Sequence, residues 1–259
     1  MFEARLLQGS LLKKIIEAIR ELVVDVNIDC DEAGLKLQAM DSSHVSLCAL
    51  TMRSDGFDHY RCDKPKSLGI NTLNLSKILK CAGNEDIITL KAEEGVDSLN
   101  MVFDAQNQEK ISEFDLKLMD IDAEHLGIPD TSYKCNVRMP SAEFQRIIRD
   151  LGVLGDTCTI TVTKEGISFS SNGDLGKGKI MLKQHTSVDK EEDAVVIDMQ
   201  EPVELNFALR YLTLFTKGTS LGPTVCVSMS PDVPIVVQYP IENMGSVSFY
   251  LAPKIDEDA

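Results

Sequence analysis

No tryptophan occurs in the 259 residues, and the aromatic share is only 5%. The basic residues have no interleaved aromatics, which excludes a platform for stacking unpaired bases. No helical segment is rich in Asn, Gln and Arg together, so base edges cannot be read from one. The longest apolar runs are strand-sized, well short of the roughly 20 residues a membrane span needs. The start, Met1-Phe2-Glu3-Ala4-Arg5, lacks a basic region followed by an apolar stretch, so no secretory leader is expected. Cys-x-x-Cys and His-x-x-x-His pairs are missing, and neither a zinc site nor any other cofactor is expected. Seven cysteines (Cys30, Cys48, Cys62, Cys81, Cys135, Cys158, Cys226) are widely spaced, odd in number and partly inside apolar runs. That pattern fits reduced, packed thiols of a cytosolic or nuclear protein better than a disulfide framework.

An enzyme is not expected either. His44, His59, His125 and His185 are scattered. Asp41-Ser-Ser-His44 holds the residue types of a triad, but adjacency in sequence is not triad geometry. Gly173-Asp-Leu-Gly176-Lys177-Gly178-Lys179 imitates a phosphate loop. Ser171 stands where that loop needs Gly, and Gly178 where it needs Ser or Thr. A hairpin or sheet-edge strand is the expected structure there.

Positive charge is scarce, and what there is of it is sorted. The net charge is −15. Four segments read as helices, Leu11–Leu22, Leu73–Ala82, Ser141–Val153 and Leu209–Lys217. They hold nine basic residues (Lys13, Lys14, Arg20, Lys77, Lys80, Arg146, Arg149, Arg210, Lys217) against four acidic ones (Glu17, Glu21, Glu143, Asp150). The helices therefore carry +5 and the rest of the chain −20. Such segregation attracts a polyanion to one surface and repels it from the others.

The pattern is also repeated. Leu12-Lys-Lys-Ile-Ile-Glu-Ala-Ile19 precedes a turn at Gly34, and Phe144-Gln-Arg-Ile-Ile-Arg-Asp-Leu151 precedes one at Gly166; both offsets are 132 residues (144 − 12 and 166 − 34). Later, Ile78-Leu-Lys-Cys-Ala-Gly83 and Leu214-Phe-Thr-Lys-Gly218 each precede a strand pair. Between helices lie β-branched runs with short intervals, as antiparallel hairpins require. Apolar stripes at period 3.6 (Leu12, Ile15, Ile16, Ile19, Leu22, Val23; Phe144, Ile147, Ile148, Leu151) face a sheet, with Ser141 expected as an N-cap. The class is α+β. Residues 1–118 and 134–259 read as two tandem domains of one topology, joined by an extended linker over 119–133.

Two groups of residues remain open on this reading. Arg61, Lys64, Lys66, Lys77 and Lys80 surround a lone Asp63, as a solvated loop plus helix or as a polyanion site; the repeated charge sign of the other helices favours the second. Contact would be with phosphates. Met40, Val45, Leu47, Leu126, Ile128, Pro234 and Tyr250-Leu-Ala-Pro253 are core residues or one exposed apolar pocket.

The segments Met1–Leu6, Met40-Asp-Ser-Ser-His-Val-Ser-Leu47, Gly56-Phe-Asp58, Tyr60–Asp63, Ser76–Leu90, His125-Leu-Gly-Ile-Pro129 and Leu251-Ala-Pro-Lys-Ile255 closely resemble the proliferating cell nuclear antigen family, the eukaryotic sliding clamps. The similarity runs from residue 1 to about 257. It implies a homotrimeric ring with antiparallel sheets outside and short helices lining a hole. Lys13, Lys14, Arg20, Lys77, Lys80, Arg149, Arg210 and Lys217 would face double-stranded DNA, together with Arg61, Lys64 and Lys66 of the stretch Arg61–Lys80. Subunits would pair Glu109–Lys117 (Lys110, Ile111, Phe114, Leu116) with Leu175–Lys183 (Leu175, Gly178, Ile180). The apolar group, with His44 and Tyr133, would become a pocket for partner peptides. The implied partners are DNA polymerases, a clamp loader, flap endonuclease and DNA ligase, in replication, repair and translesion synthesis within the nucleus. Lys164 would accept ubiquitin or SUMO; as a residue it is also an ordinary turn lysine. Val153 replaces a frequent His, Phe114 a usual Tyr, and Lys64-Pro65-Lys66-Ser67 is unusual for the family. The alternative expectation is a subunit of a related checkpoint or heterotrimeric clamp.

Overall fold

A computed structural model describes residues 1–107, 109–122, 131–186 and 190–255. The chain divides into two compact units. The first holds Met1–Ser42, Cys48–Gly127 and Ile241–Val247. The second holds Ser43–Leu47, Ile128–Pro240 and Ser248–Ala259.

The elements of the first half are β1 (Phe2–Leu6), α1 (Gly9–Ile19), β2 (Asp25–Asp31), β3 (Gly34–Met40), β4 (Ser46–Arg53), β5 (His59–Cys62), β6 (Lys66–Asn71), α2 (Thr72–Leu79), β7 (Ile87–Ala92), β8 (Ser98–Asp104) and β9 (Ile111–Lys117). Those of the second half are β10 (Cys135–Pro140), α3 (Ser141–Leu151), β11 (Thr157–Thr163), β12 (Gly166–Gly173), β13 (Gly176–Leu182), β14 (Val196–Met199), β15 (Val203–Ala208), α4 (Leu209–Phe215), β16 (Thr224–Met229), β17 (Ile235–Ile241) and β18 (Gly245–Leu251). The strand orders are the same twice over. The first half has β5-β1-β7-β8-β9 and β4-β3-β2-β6; the second has β14-β10-β16-β17-β18 and β13-β12-β11-β15. Strands β1 and β7, β2 and β3, β10 and β16, and β11 and β12 pair antiparallel.

The repeat reaches the backbone. Helices α1 and α3 start at Gly9 and Ser141, 132 residues apart (141 − 9). The turns they precede hold Gly34 at φ 138° and Gly166 at φ 154°. A Cβ would stand 2.0 Å from Met52 O at Gly34 and 2.2 Å from Leu182 O at Gly166. Only glycine takes that conformation at so close an approach of the neighbouring strand.

Hydrophobic periodicity explains the helices. Ile15, Ile16 and Ile19 of α1 and Phe144, Ile147 and Ile148 of α3 are all at most 1% exposed. Each such side chain contributes about 1.5–3 kcal/mol by leaving water. In the second unit Phe215 stacks on Phe249 with ring centroids 4.9 Å apart, and Tyr239 meets Phe249 edge-on. The helix starts differ from one another. Asn71 caps α2 by accepting from Asn74 N at 3.0 Å. Ser141 is not the expected N-cap. It is the first residue of α3, its hydroxyl donates to Gly222 O at 2.6 Å, and its amide donates to Pro223 O at 2.8 Å. The hydroxyl is thereby drawn away from the helix amides.

The thiols follow the packing. Cys48 and Cys158 are fully buried, and burial pushes both up to about 12; Cys81 is exposed. Once unfolded they ionise near pH 8.5. Their contribution to stability is therefore complete below that value and is lost as pH rises toward 12. Stability should be flat from pH 7 to 8 and then fall, by up to about 1.4 kcal/mol per thiol per pH unit. A maleimide should label Cys81 on the native protein and spare Cys48 and Cys158. Labelling of Cys48 at the rate of Cys81 would contradict the burial argument.

Candidate nucleic-acid interface

In the first unit α1 and α2 lie side by side. Lys14, Lys77 and Lys80 are exposed on them, and Lys13 and Arg20 are half-buried. Lys13 donates its ammonium to Ala82 O, just beyond the end of α2, so it closes that helix end as well as adding charge. Glu17 stands among the cations: it accepts from Arg20 Nε at 2.6 Å and lies 3.9 Å from Lys80 Nζ.

In the second unit α3 and α4 form an open trough of about 440 Å³, lined by Gln145, Ile148, Arg149, Gly152, Val153, Thr213, Thr216 and Lys217. Gln145 Nε2 donates to Thr216 O at 3.2 Å. Arg149 lies 3.1 Å from Asp150, and Arg146 lies 3.8 Å from it. Arg210 sits 4.8 Å over the Tyr211 ring, so one basic residue does have an aromatic beside it. Tyr211 is 5% exposed, which leaves no free ring face for a base. The cations that line the trough are Arg149 and Lys217. Val153 is 67% exposed at its rim and offers no hydrogen bond.

The structure does not bring Arg61, Lys64 and Lys66 to the helix face. Arg61 grips Asp63 with two bonds, of 2.8 and 3.0 Å. Lys64 lies 3.2 Å from Glu94, and Lys66 donates to Glu93 O at 2.6 Å. Lys66 opens β6, whereas α2 follows its other end, roughly 17 Å along the strand. The lone Asp63 of the sequence reading thus has company that is distant in sequence. Sequence inspection also passed over Glu17 and Asp150 as partners. Their spacings, i to i+3 from Glu17 to Arg20 and i to i+4 from Arg146 to Asp150, were the available signal.

Strands β9 and β13 are both sheet edges. Glu113, Asp115 and Lys117 point outward from β9, and Lys177, Lys179 and Met181 from β13. Ile111 is 70% exposed and Leu175 is 77% exposed; Lys110 is exposed too. Leu116 is buried in its own sheet, so its side chain is not a contact residue. Phe114 and Ile180 are half-buried, Phe114 with its ring 5.3 Å from that of Phe103. A side chain at Gly178 would meet Leu154 Cδ1 of the same unit at 2.6 Å. Crowding at Gly178 therefore comes from within the chain.

The apolar group of the second unit is partly surface. Pro234, Ala252 and His44 are exposed, His44 at φ 56°, and Val45 is 38% exposed. Leu47, Tyr133, Tyr250 and Pro253 are half-buried. Tyr133 donates to Pro234 O at 3.3 Å, and Ala252 N donates to Val45 O at 3.4 Å. Burial raises both tyrosine hydroxyls above their ordinary range. Leu251 is 1% exposed and belongs to the core, because alternation along β18 turns it inward. Met40 is half-buried at the end of β3, in the first unit. Leu126 and Ile128 lie outside the described residues. Lys164 is exposed in the turn between β11 and β12.

Two repeated units, each presenting cations on a helix pair, define a scaffold that meets a polyanion by charge. Comparison with protein-family models matches residues 1–125 to the proliferating cell nuclear antigen N-terminal domain and residues 127–254 to its C-terminal domain. The chain belongs to the proliferating cell nuclear antigen family, whose members are non-enzymatic DNA sliding clamps.

Proposed function

We propose that three copies of this chain, the number the resemblance implies, close head to tail into a ring around double-stranded DNA and act as a polymerase processivity factor. The observation that carries the closure is a pair of open edges. In each unit, the part of β4 present runs beside the part of β18 present: Arg53 N donates to Met244 O in the first, and Ala252 N to Val45 O in the second. In the repeat β18 corresponds to β9, and β4 to β13. The same two kinds of edge are thus paired once within the chain and left open once. The open pair is complementary, with Glu113 and Asp115 on β9 and Lys177 and Lys179 on β13. An unpaired edge invites a second chain, and a heterologous contact closes when its rotation allows.

A closed ring does not need tight contacts. Phosphate contacts without base readout let it slide. Within the same reading, Val45, Pro234, Tyr250 and Ala252, with Leu126 and Ile128 of the linker, receive a short helical turn from DNA polymerases, clamp loader, flap endonuclease and DNA ligase. Lys164 accepts ubiquitin or SUMO for repair and translesion synthesis, and the protein works in the nucleus. The test is sedimentation of the pure chain, then a loader-dependent polymerase processivity assay. Wild type should sediment as a trimer and extend the product length. Leu126→Ala with Ile128→Ala should sediment likewise and lose most of the extension. A wild-type chain that neither trimerises nor extends synthesis would overturn the reading.

A further inference from the structure

Glu17 has more partners than a surface carboxylate needs. Its Oε2 accepts from Arg20 Nε at 2.6 Å, and its Oε1 accepts from Ser76 Oγ at 2.8 Å, 3.9 Å from Lys80 Nζ. Ser76 belongs to α2 and is 3% exposed, so the carboxylate is anchored from the core side. Burial by itself would raise its pKa. The Ser76 bond, Arg20 and Lys80 outweigh that and hold it below the usual carboxylate range. Glu17 is a fixed anion at the distance a phosphate oxygen would take from Arg20, with Lys80 Nζ in looser ion-pair range at 3.9 Å. Lys14 and Lys77, exposed on the same helices, have no acidic partner among the described residues.

We propose that Glu17 is a resident competitor of DNA phosphate, which holds Arg20 and Lys80 in reserve and keeps the first unit's grip on the duplex weak. The proposal rests on the duplex-encircling reading above. A phosphate that reaches Arg20 or Lys80 must displace the carboxylate, so one ion pair is exchanged for another. A phosphate that reaches Lys14 or Lys77 displaces only water. The five cations of the first unit's helix pair are therefore not equivalent: two grip, two are held by Glu17, and Lys13 is engaged with Ala82 O. For a clamp that must move along DNA, restrained cations limit how long any one phosphate is kept.

Binding of the full chain to a short linear duplex, followed by fluorescence anisotropy from 50 to 200 mM salt, tests this. Glu17→Gln keeps the size and one accepting oxygen and removes the charge. It should bind roughly 3- to 30-fold more tightly, with a log–log salt slope steeper by about 1 to 2. Arg20→Ala in the Glu17→Gln background should erase much of that gain, which a merely structural carboxylate would not produce. Arg20→Ala alone, in a wild-type background, should weaken binding less than Lys77→Ala, and this holds even if Glu17→Gln folds poorly. If Lys77→Ala weakens binding while Glu17→Gln is no tighter than wild type, or if Arg20→Ala costs as much as Lys77→Ala, the competitor role is refuted and the duplex reading stands. If no variant, Lys77→Ala included, changes binding, the duplex reading itself has failed.

Discussion

Replacing Lys14, Lys77, Arg149 and Arg210 with alanine leaves the assembly intact, weakens duplex binding alike on every sequence and flattens its salt dependence. All four side chains are exposed on helices whose buried faces do the packing, so the fold should lose little. Each phosphate contact removed lowers the log–log slope by about 0.9, so up to about 3.6 for the set. In affinity this amounts to roughly 10- to 1,000-fold near 0.1 M salt. The four are drawn from both units, two from each helix pair. Lys13, Arg20 and Lys80 are left in place so that the contacts they make with Ala82 O and Glu17 stay intact. The measurement is anisotropy on two unrelated duplexes. An unchanged slope would remove the helices from the interface, and a loss confined to one sequence would mean base readout.

Reversing the charge on one open edge takes the assembly apart. Lys177→Glu with Lys179→Glu sets like charges against Glu113 and Asp115 of the neighbouring copy, at a cost of several kcal/mol per contact. The trimer–monomer equilibrium should move by at least about 100-fold in sedimentation, with monomer dominant at micromolar concentration. Glu113→Lys with Asp115→Lys should do the same, and all four changes in one chain should restore much of the association. Lys177 and Lys179 are exposed on β13, so the lysine reversal should hardly move the unfolding temperature, whereas Glu113 and Asp115 accept from Asn100 Nδ2 of β8 at 2.8 and 3.0 Å, so the acidic reversal should lower it modestly. The reversal tests the interface more cleanly than a substitution at Gly178, where Leu154 of the same unit is the first atom met. A doubly reversed chain that still sediments as wild type would place the subunit contact elsewhere.

Periodicity and repetition made most of the architecture readable. The stripes of α1 and α3 and the glycines at 34 and 166 are set by local rules, amphipathic burial and a left-handed turn, and such rules act on neighbouring residues. The charge partition is legible for the same reason, because it follows from which residues a helix exposes, although Glu17 stands among the cations of α1 and α2. Legibility ended where the deciding partner is distant in sequence. Glu93 and Glu94 hold the lysines of the 64–66 loop, Gly222 and Pro223 draw Ser141 away from capping, and Ser76 fixes Glu17. Leu116 and Leu251 show a second limit. Motif position assigned them to contact surfaces, but alternation along β9 and β18 turns each into the core. A motif carries the location of a segment; the pleat decides which side chains of it are offered.

The two open edges bear on how the proposed ring would come apart. Every seam in it joins the same acidic edge to the same basic one, so no seam is marked as the gate. Whatever opens the ring must impose the distinction from outside, by the place where it docks. The number of copies is likewise not written in any residue, but in the angle each copy turns relative to the last. A slightly different angle would yield an open spiral whose end edges remain unsatisfied.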